Sequence, residues 1–206
     1  MDIQLENIGK RFRRDWIFRK LNFHIPKGTK LSITGANGSG KSTLVQVISA
    51  YLRPTEGNVI FKVNDDEVSS EAVFKYLSYS APYMTLPDDL TLIECVNFHV
   101  RFKPLLKGVN NDDLIRLCYL EKHTTKPVSN FSSGMIQRLK IALTVLSDVP
   151  LILLDEPTTN LDNEGIQWYQ GLVEKYAGDR TVIVCTNRPE EEAGFCQKNL
   201  TISDYQ

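Results

Sequence analysis

Short apolar segments separated by polar turns predict strands in the first third of the chain. Segments 3–8, 21–25 and 30–34 fit this pattern. Ile3, Leu5 and Ile8 fit a short edge strand, whereas KLSIT at 30–34 is typical of a buried one. A helix is predicted at 44–52, and NVIFKV at 58–63 returns to strand after a Pro- and Gly-containing break.

The pattern becomes helical from about Ala81. T-L-I-E at 91–94 is a capping box sequence, which predicts the start of an aromatic-rich helix. A second short helix is expected near 112–120, and a third is expected from Gly134, with apolar residues along one face. Strands are then predicted at 151–155 and 181–186, with a helix between them at about 162–177.

This order of elements predicts an α/β fold with a helical lobe inserted into the core and a small β layer at the N-terminus. We expect one domain, 1–206, in three segments: the β layer and first half of the core at 1–80, the helical lobe at 81–146, and the second half of the core at 147–206.

Composition changes this picture little. Hydrophobic residues make up 42% and charged residues 24%, as in ordinary soluble domains, and the net charge of −1 predicts no general attraction to nucleic acid. The cysteines are scattered without a C-x-x-C pair, which favours a reduced, cytosolic protein without a metal cluster: Cys95, Cys118, Cys185 and Cys196. No signal peptide is evident, and the longest apolar run, 150–154, is too short to cross a bilayer. A membrane role therefore requires a partner.

The strongest motif is GANGSGKST at 35–43, which matches G-x-x-x-x-G-K-[ST] between a predicted strand and a predicted helix. Such a loop curls its backbone N–H groups around phosphates at a helix start. Lys41 is expected to reach the β- and γ-phosphates, and Ser42 to bind Mg²⁺. The predicted nucleotide-binding residues are Gly35, Ala36, Asn37, Gly38, Ser39, Gly40, Lys41, Ser42 and Thr43.

LILLDEP places two carboxylates at the end of a predicted buried strand. Asp155 is expected to hold Mg²⁺ through its water shell. Glu156 is expected to orient or deprotonate a water molecule aimed at the γ-phosphate. On its own the pair would be weak evidence, because two acids at a strand end are common. Beside a P-loop it indicates nucleotide hydrolysis.

Residues 131–138, FSSGMIQR, and 151–162, LILLDEPTTNLD, resemble the signature motif, Walker B motif and D-loop of ABC-type ATPases. The resemblance spans nearly the whole chain. It implies a P-loop NTPase (RecA-like) core with an N-terminal antiparallel β layer and an inserted helical subdomain. ATP and Mg²⁺ are the implied cofactors.

The resemblance also assigns roles to single residues. It implies that Phe12 stacks on adenine, with Trp16 as the next candidate, and that Asp162 is the D-loop aspartate. The signature falls on Ser132, Ser133 and Gly134. In this family two chains pack head to tail, so the signature of one chain closes on the phosphates held by the other. The resemblance therefore implies a homodimer or cassette dimer on ATP binding.

Two departures from the family pattern predict slow hydrolysis. The family usually has a glutamine at the junction into the helical lobe, but YSAPYM at 79–84 contains none, and Ala81 or Pro82 stands near its place. The family also has a histidine after the last core strand, where this chain has Asn187. Asparagine can hydrogen-bond a phosphate but carries no charge. We therefore assign catalysis to Glu156 and Lys41, with Asn187 as a weaker contributor.

The resemblance implies an ATP-binding and ATP-hydrolysing subunit of an ABC transporter. Separate transmembrane permease subunits are then the expected partners, and the inner face of the cell membrane is the expected location, with the chain peripheral and cytoplasmic. Segment 92–106 lies where the family docks its membrane partner. Its residues Phe98 and Phe102 fit either that surface or the core of the lobe.

Three alternatives stay open at this point. One is a soluble ATPase of the same family, for example of the iron–sulfur assembly type. Another is an ATP-gated binding module with little hydrolysis. The third is nucleic-acid handling, suggested by the basic cluster KRFRR at 10–14, but a solvated face beside the adenine explains that cluster better.

Overall fold

The structure is a computed structural model that describes residues 1–206. Its strands are β1 (Asp2–Phe12), β2 (Asp15–Ile25), β3 (Lys30–Thr34), β4 (Glu56–Val63), β5 (Asp66–Val68), β6 (Leu77–Ser80), β7 (Leu151–Asp155), β8 (Thr181–Thr186) and β9 (Lys198–Thr201). Its α-helices are α1 (Lys41–Ile48), α2 (Leu92–Phe102), α3 (Asn111–Leu117), α4 (Ser133–Leu146), α5 (Asn163–Tyr176) and α6 (Pro189–Glu192).

The N-terminal layer is an antiparallel sheet with the strand order β2-β1-β4-β5. Strand β1 pairs with β2 on one side and β4 on the other, so the prediction that it is an edge strand was wrong. It is also longer than predicted, because its pairing continues through register shifts beyond Leu5 to the hairpin at Phe12 and Asp15. Its apolar residues Ile3, Leu5 and Ile8 are fully buried against the core.

The core sheet is parallel and has the order β6-β7-β8-β3-β9. Strands β7 and β8 are buried along their whole length, as expected for strands covered on both faces. In a parallel sheet all carboxyl ends meet at one edge, which is where such sheets bind ligands. This edge brings together the loop after β3, the acidic pair after β7 and Asn187 after β8.

The helical lobe contains α2, α3 and the start of α4. The capping box predicted for α2 is present, since the backbone N–H of Thr91 donates to Glu94 Oε2 at 2.9 Å. Apolar residues of the lobe and of the core sheet form one continuous buried cluster that includes Leu92, Leu139 and Ile152. The longest helices, α4 and α5, have 14 residues each, and no helix is long and apolar enough to span a membrane.

Candidate nucleotide-binding site

The loop between β3 and α1 has the backbone that a phosphate cradle requires. Gly35 and Gly40 have positive φ angles of 155° and 99°. A Cβ atom at Gly40 would lie 2.4 Å from Ile17 Cγ2, and one at Gly35 would lie 2.6 Å from Ser39 Oγ. Only glycine fits both positions, because the backbone there passes close to its neighbours. The crown of the loop, residues 36–38, remains exposed.

Lys41 begins α1 and folds back across the loop. Its side chain is almost fully buried, and Nζ donates to the carbonyl oxygens of Gly35 at 2.9 Å and Ala36 at 3.1 Å. The ammonium group is thereby held inside the curl of the loop, next to the N-terminus of a helix. Both features favour an anion at this place.

Asp155 ends β7 as a buried carboxylate, and neither of its oxygens has a hydrogen-bond partner within the chain. Burial raises the pKa of Asp155 to about 6, the Ser42 hydroxyl counteracts this shift, and the charge of Glu156 adds to it. A buried carboxylate without partners is costly unless a cation or bound water satisfies it. Its donor set therefore fits Mg²⁺, which prefers carboxylate and hydroxyl oxygens.

Glu156 stands at a strained turn directly after this strand. Its φ angle is 45°, in the left-handed region that side chains rarely adopt, while its backbone N–H donates to the Cys185 carbonyl at 2.9 Å. Strain of this kind is concentrated at functional sites. The half-buried Glu156 side chain thus follows Asp155 at the carboxyl edge of the sheet.

Asn187 touches the phosphate loop. Its Nδ2 donates to Asn37 Oδ1 at 2.9 Å, so the residue in the place of the family's histidine contacts the crown of the loop. The next residue along the chain, Arg188, instead pairs with Glu191 at 3.1 Å. The structure therefore brings Asn187 to the loop, whereas the guanidinium of Arg188 is engaged elsewhere.

Phe12 and Trp16 differ in how freely their rings are presented. Phe12 ends β1 with 46% of its surface exposed, and Lys10 Nζ lies 5.1 Å from the centroid of its ring. The Trp16 ring is covered by the guanidinium groups of Arg19 at 4.0 Å and Arg11 at 5.4 Å. Phe12 is therefore the better candidate for stacking on a base.

The signature residues and the D-loop form a separate hollow of about 360 Å³. Ser132 caps α4, and its hydroxyl accepts the Met135 N–H at 3.3 Å. Asp162 Oδ1 lies 3.8 Å from Arg138 Nη2, and Arg138 also lines the hollow. No residue of the phosphate loop lines this hollow. Within one chain, the phosphate loop and the signature are thus two separate surfaces.

The sequence analysis missed three side chains at the site. Glu192 is fully buried and accepts from the Thr158 N–H at 3.0 Å, which ties α6 to the start of the D-loop. Glu192 is the last of three consecutive glutamates at 190–192, and nothing in the sequence distinguishes it from the other two. Tyr83 and Lys140 were not predicted either. The lack of a glutamine in YSAPYM at 79–84 was the one signal in the sequence that pointed to the segment containing Tyr83.

Comparisons with known proteins point to one family. The family model described as "ABC transporter" matches residues 18–159. A cytochrome c biogenesis ATP-binding export protein of Agrobacterium fabrum is 32% identical over 92% of this chain and 90% of its own length. A lantibiotic transport ATP-binding protein of Streptococcus pyogenes is 27% identical, covering 90% of this chain and 79% of its own length.

Solved structures share the fold. A putative ABC transporter ATP-binding protein from Pyrococcus furiosus superposes with a TM-score of 0.82 at 20% identity, over 100% of both chains. A dimeric bacterial ABC transporter cassette has a TM-score of 0.80 at 25% identity, covering 97% of this chain and 94% of its own. The predicted α/β fold with its P-loop core is confirmed.

The chain belongs to the ABC transporter family. It is an ATP-binding and ATP-hydrolysing subunit of an ABC transporter. The predictions of family, ATPase activity and partners are confirmed, and no comparison favours a soluble iron–sulfur assembly ATPase or a binding module with little hydrolysis.

Proposed function

We propose that the chain binds ATP with Mg²⁺ through the loop at 35–43 and hydrolyses it slowly on the inner face of the cell membrane. The observation that carries this proposal is the buried Asp155 carboxylate, which has no partner of its own and lies near Lys41 and Ser42. Mg-ATP, when bound, supplies the transferable phosphoryl group and a metal charge that offsets the developing negative charge.

The place of each site residue in the fold determines its proposed role. The loop N–H groups and the Lys41 ammonium bind phosphate oxygens, and Phe12 packs against the base. Ser42 and Asp155 hold the metal, one from α1 and one from β7. Glu156 orients a water molecule and accepts its proton. The signature surface, Ser132, Ser133 and Gly134, completes the site of a second chain, because the phosphate loop and the signature lie on separate surfaces of one chain.

The membrane partner is proposed to dock at the cleft between core and lobe and at the aromatic pair Phe98 and Phe102 beside it on α2. This cleft has a volume of about 590 Å³, and its lining includes Phe74, Met84, His99 of α2 and Lys103, which directly follows α2. Phe98 and Phe102 stack edge to face with centroids 5.2 Å apart, and their exposed fractions are 48% and 69%. Neither belongs to the core of the lobe, and exposed aromatic pairs mark interaction surfaces.

We expect Phe102→Ser to abolish co-purification of the chain with permease subunits from membranes while leaving nucleotide binding unchanged. The substitution removes apolar contact area at the docking surface and touches no residue of the nucleotide site. Tyr119→Ser is the matched control, because Tyr119 is a similarly exposed lobe aromatic that belongs neither to α2 nor to the lining of the cleft. Equal recovery of both variants in the membrane fraction would contradict docking at this cleft.

We expect Asn187→His to raise kcat while leaving ATP affinity nearly unchanged. Asparagine supplies an amide donor at the phosphate loop but cannot become a cation when negative charge shifts during hydrolysis. Losing one preorganised donor of that kind typically costs about a hundredfold or more in rate. Steady-state hydrolysis would be compared with the unmodified chain, using Glu156→Gln as the inactive control. An unmodified chain that turns over briskly and a histidine variant that is no faster would contradict this role.

A further inference from the structure

The turn that lacks the family's glutamine carries a tyrosine that reaches the phosphate-binding helix. Tyr83 lies just after β6, in the segment that leads into the helical lobe. Its hydroxyl accepts a hydrogen bond from Gln46 Nε2 of α1 at 2.9 Å and also bonds the Tyr79 hydroxyl. The two tyrosine rings stand edge to face, with centroids 6.4 Å apart.

This pair of hydroxyls lies between the two elements that carry the proposed metal ligands. Gln46 is one helical turn beyond Ser42, so both side chains share a face of α1. Tyr79 pairs with Leu153 in β7, the strand that ends at Asp155. Burial is the main cause of the raised pKa of Tyr83, and the negative charge of Asp155 adds to it, as expected for a neighbour.

The hydroxyls of Tyr79 and Tyr83 together carry one proton that has no acceptor within the chain. Two tyrosine hydroxyls carry two protons, and one of these forms the bond between them. Gln46 contributes its own proton, so the second hydroxyl proton has no acceptor among the hydrogen bonds of the chain. Tyr83 is 52% exposed, so the residue lies at the surface of the turn and is not enclosed by the chain.

The same turn is fixed from its other side by the signature helix. Lys140 of α4 is 7% exposed, and its Nζ donates to the carbonyl oxygens of Ala81 at 2.6 Å and Met84 at 3.1 Å. Burial lowers the pKa of Lys140. The backbone on both sides of Tyr83 is therefore held in place, so the hydroxyl is presented from a fixed turn rather than from a loose loop.

We propose that Tyr83 takes the place of the missing glutamine and donates its hydroxyl proton to an oxygen on the γ-phosphate side of bound Mg-ATP. The chemistry fits, because a tyrosine hydroxyl, like a glutamine amide, can both donate and accept a hydrogen bond. Tyr83 contacts α1 through Gln46, and the turn that carries it contacts the signature helix through Lys140. This inference rests on the proposed nucleotide site.

The test uses Tyr83→Phe, which keeps the ring and removes the hydroxyl. We expect kcat to fall about a hundredfold or more, as for the loss of one positioned donor. ADP affinity should remain unchanged, because ADP lacks the γ-phosphate. Tyr176→Phe on α5 is the matched control, since the structure shows no hydrogen bond from the Tyr176 hydroxyl.

A second measurement does not depend on turnover. In a Glu156→Gln background, Mg-ATP is expected to protect the backbone amides of 81–86 from hydrogen exchange, and Tyr83→Phe is expected to remove that protection. If Tyr83→Phe melts well below its parent, Gln46→Leu tests the same contact from α1 and should lose the protection as well. Unchanged protection in the variant that is tested would overturn the proposal.

Failure of the nucleotide site and failure of the Tyr83 contact give different results. A parent chain that binds no Mg-ATP in calorimetry would overturn the proposed nucleotide site and the role of Tyr83 with it. A parent that binds Mg-ATP, with a Tyr83→Phe variant indistinguishable from Tyr176→Phe in kcat and in amide exchange, would overturn the role of Tyr83 alone.

Discussion

Lys41→Ala is expected to weaken ATP binding by about tenfold to a hundredfold or more. Hydrogen bonds to a charged group contribute roughly 1.5–3 kcal/mol each, and about 1.4 kcal/mol corresponds to a factor of ten. The Lys41 ammonium is already held inside the loop by the carbonyl oxygens of Gly35 and Ala36, so little reorganisation is needed for it to meet a phosphate. Alanine removes this charge and leaves the loop without a cation.

The control for this experiment is Lys30, which lies at the start of β3, the strand that leads into the phosphate loop. Lys30 begins β3 and donates through Nζ to the carbonyl oxygens of Gly178 and Arg180, an arrangement like that of Lys41. Lys30→Ala therefore removes a comparable set of contacts far from the phosphate loop. Calorimetry should show weakened ATP binding only for Lys41→Ala, with thermal melting to confirm that both variants fold. Unchanged ATP affinity in Lys41→Ala would refute the nucleotide site.

The phosphate loop and the central strands could be predicted because their signals are local. The bounds of β3, β7 and β8 agree with the predicted segments 30–34, 151–155 and 181–186, each an apolar run between turn residues. Helix α1 was placed too late, at 44–52. The apolar pattern starts only at Leu44, whereas the helix begins at Lys41, directly after the left-handed Gly40.

Strand β1 was misjudged because its pattern is interrupted. The alternation of buried residues holds for Ile3 and Leu5 and then shifts, since the pairing slips between Leu5 and Ile8 and Asn7 has a positive φ of 50°. A bulge adds a residue to one strand and changes which face each later side chain occupies. The alternation of buried and exposed residues therefore no longer identifies the strand beyond the bulge, although the strand continues to Phe12.

The remaining site residues were hidden because their contacts are distant in sequence. Tyr83 and Gln46 are 37 residues apart, and Thr158 and Glu192 are 34 residues apart. No periodicity or motif links such pairs, and only the packing of α1 and α6 against the sheet that contains β6 brings them together. The absence of the family's glutamine could be seen in the sequence, but its candidate replacement required the fold.

Glu156→Gln is expected to lower turnover by about a hundredfold to ten-thousandfold, the usual range for removing a positioned general base. Glutamine has nearly the same shape as glutamate but cannot accept the proton of the attacking water. ATP should still bind, because the phosphate loop, Lys41 and Asp155 are unchanged. Since bound ATP is then not consumed, the variant should accumulate as a dimer with ATP and remain a monomer without it, as judged by size-exclusion chromatography.

A second substitution tests whether the signature surface closes that dimer. Ser132 caps α4 at the edge of the hollow that it shares with the D-loop, and it lies on a different surface from the phosphate loop of its own chain. Arginine at this position would put a long charged side chain where the phosphates of the other chain are proposed to lie. Glu156→Gln with Ser132→Arg should therefore bind ATP and stay monomeric.

The matched control is Ser69→Arg in the same Glu156→Gln background, because Ser69 is exposed and belongs to neither the phosphate loop nor the signature. Loss of the Ser132 cap itself costs only about 1 kcal/mol, so the fold should survive, and thermal melting verifies this. The Ser69→Arg chain should still dimerise with ATP. If the Ser132→Arg chain dimerises equally well, the signature surface does not close the site, and the two half-sites must meet in an arrangement other than head to tail.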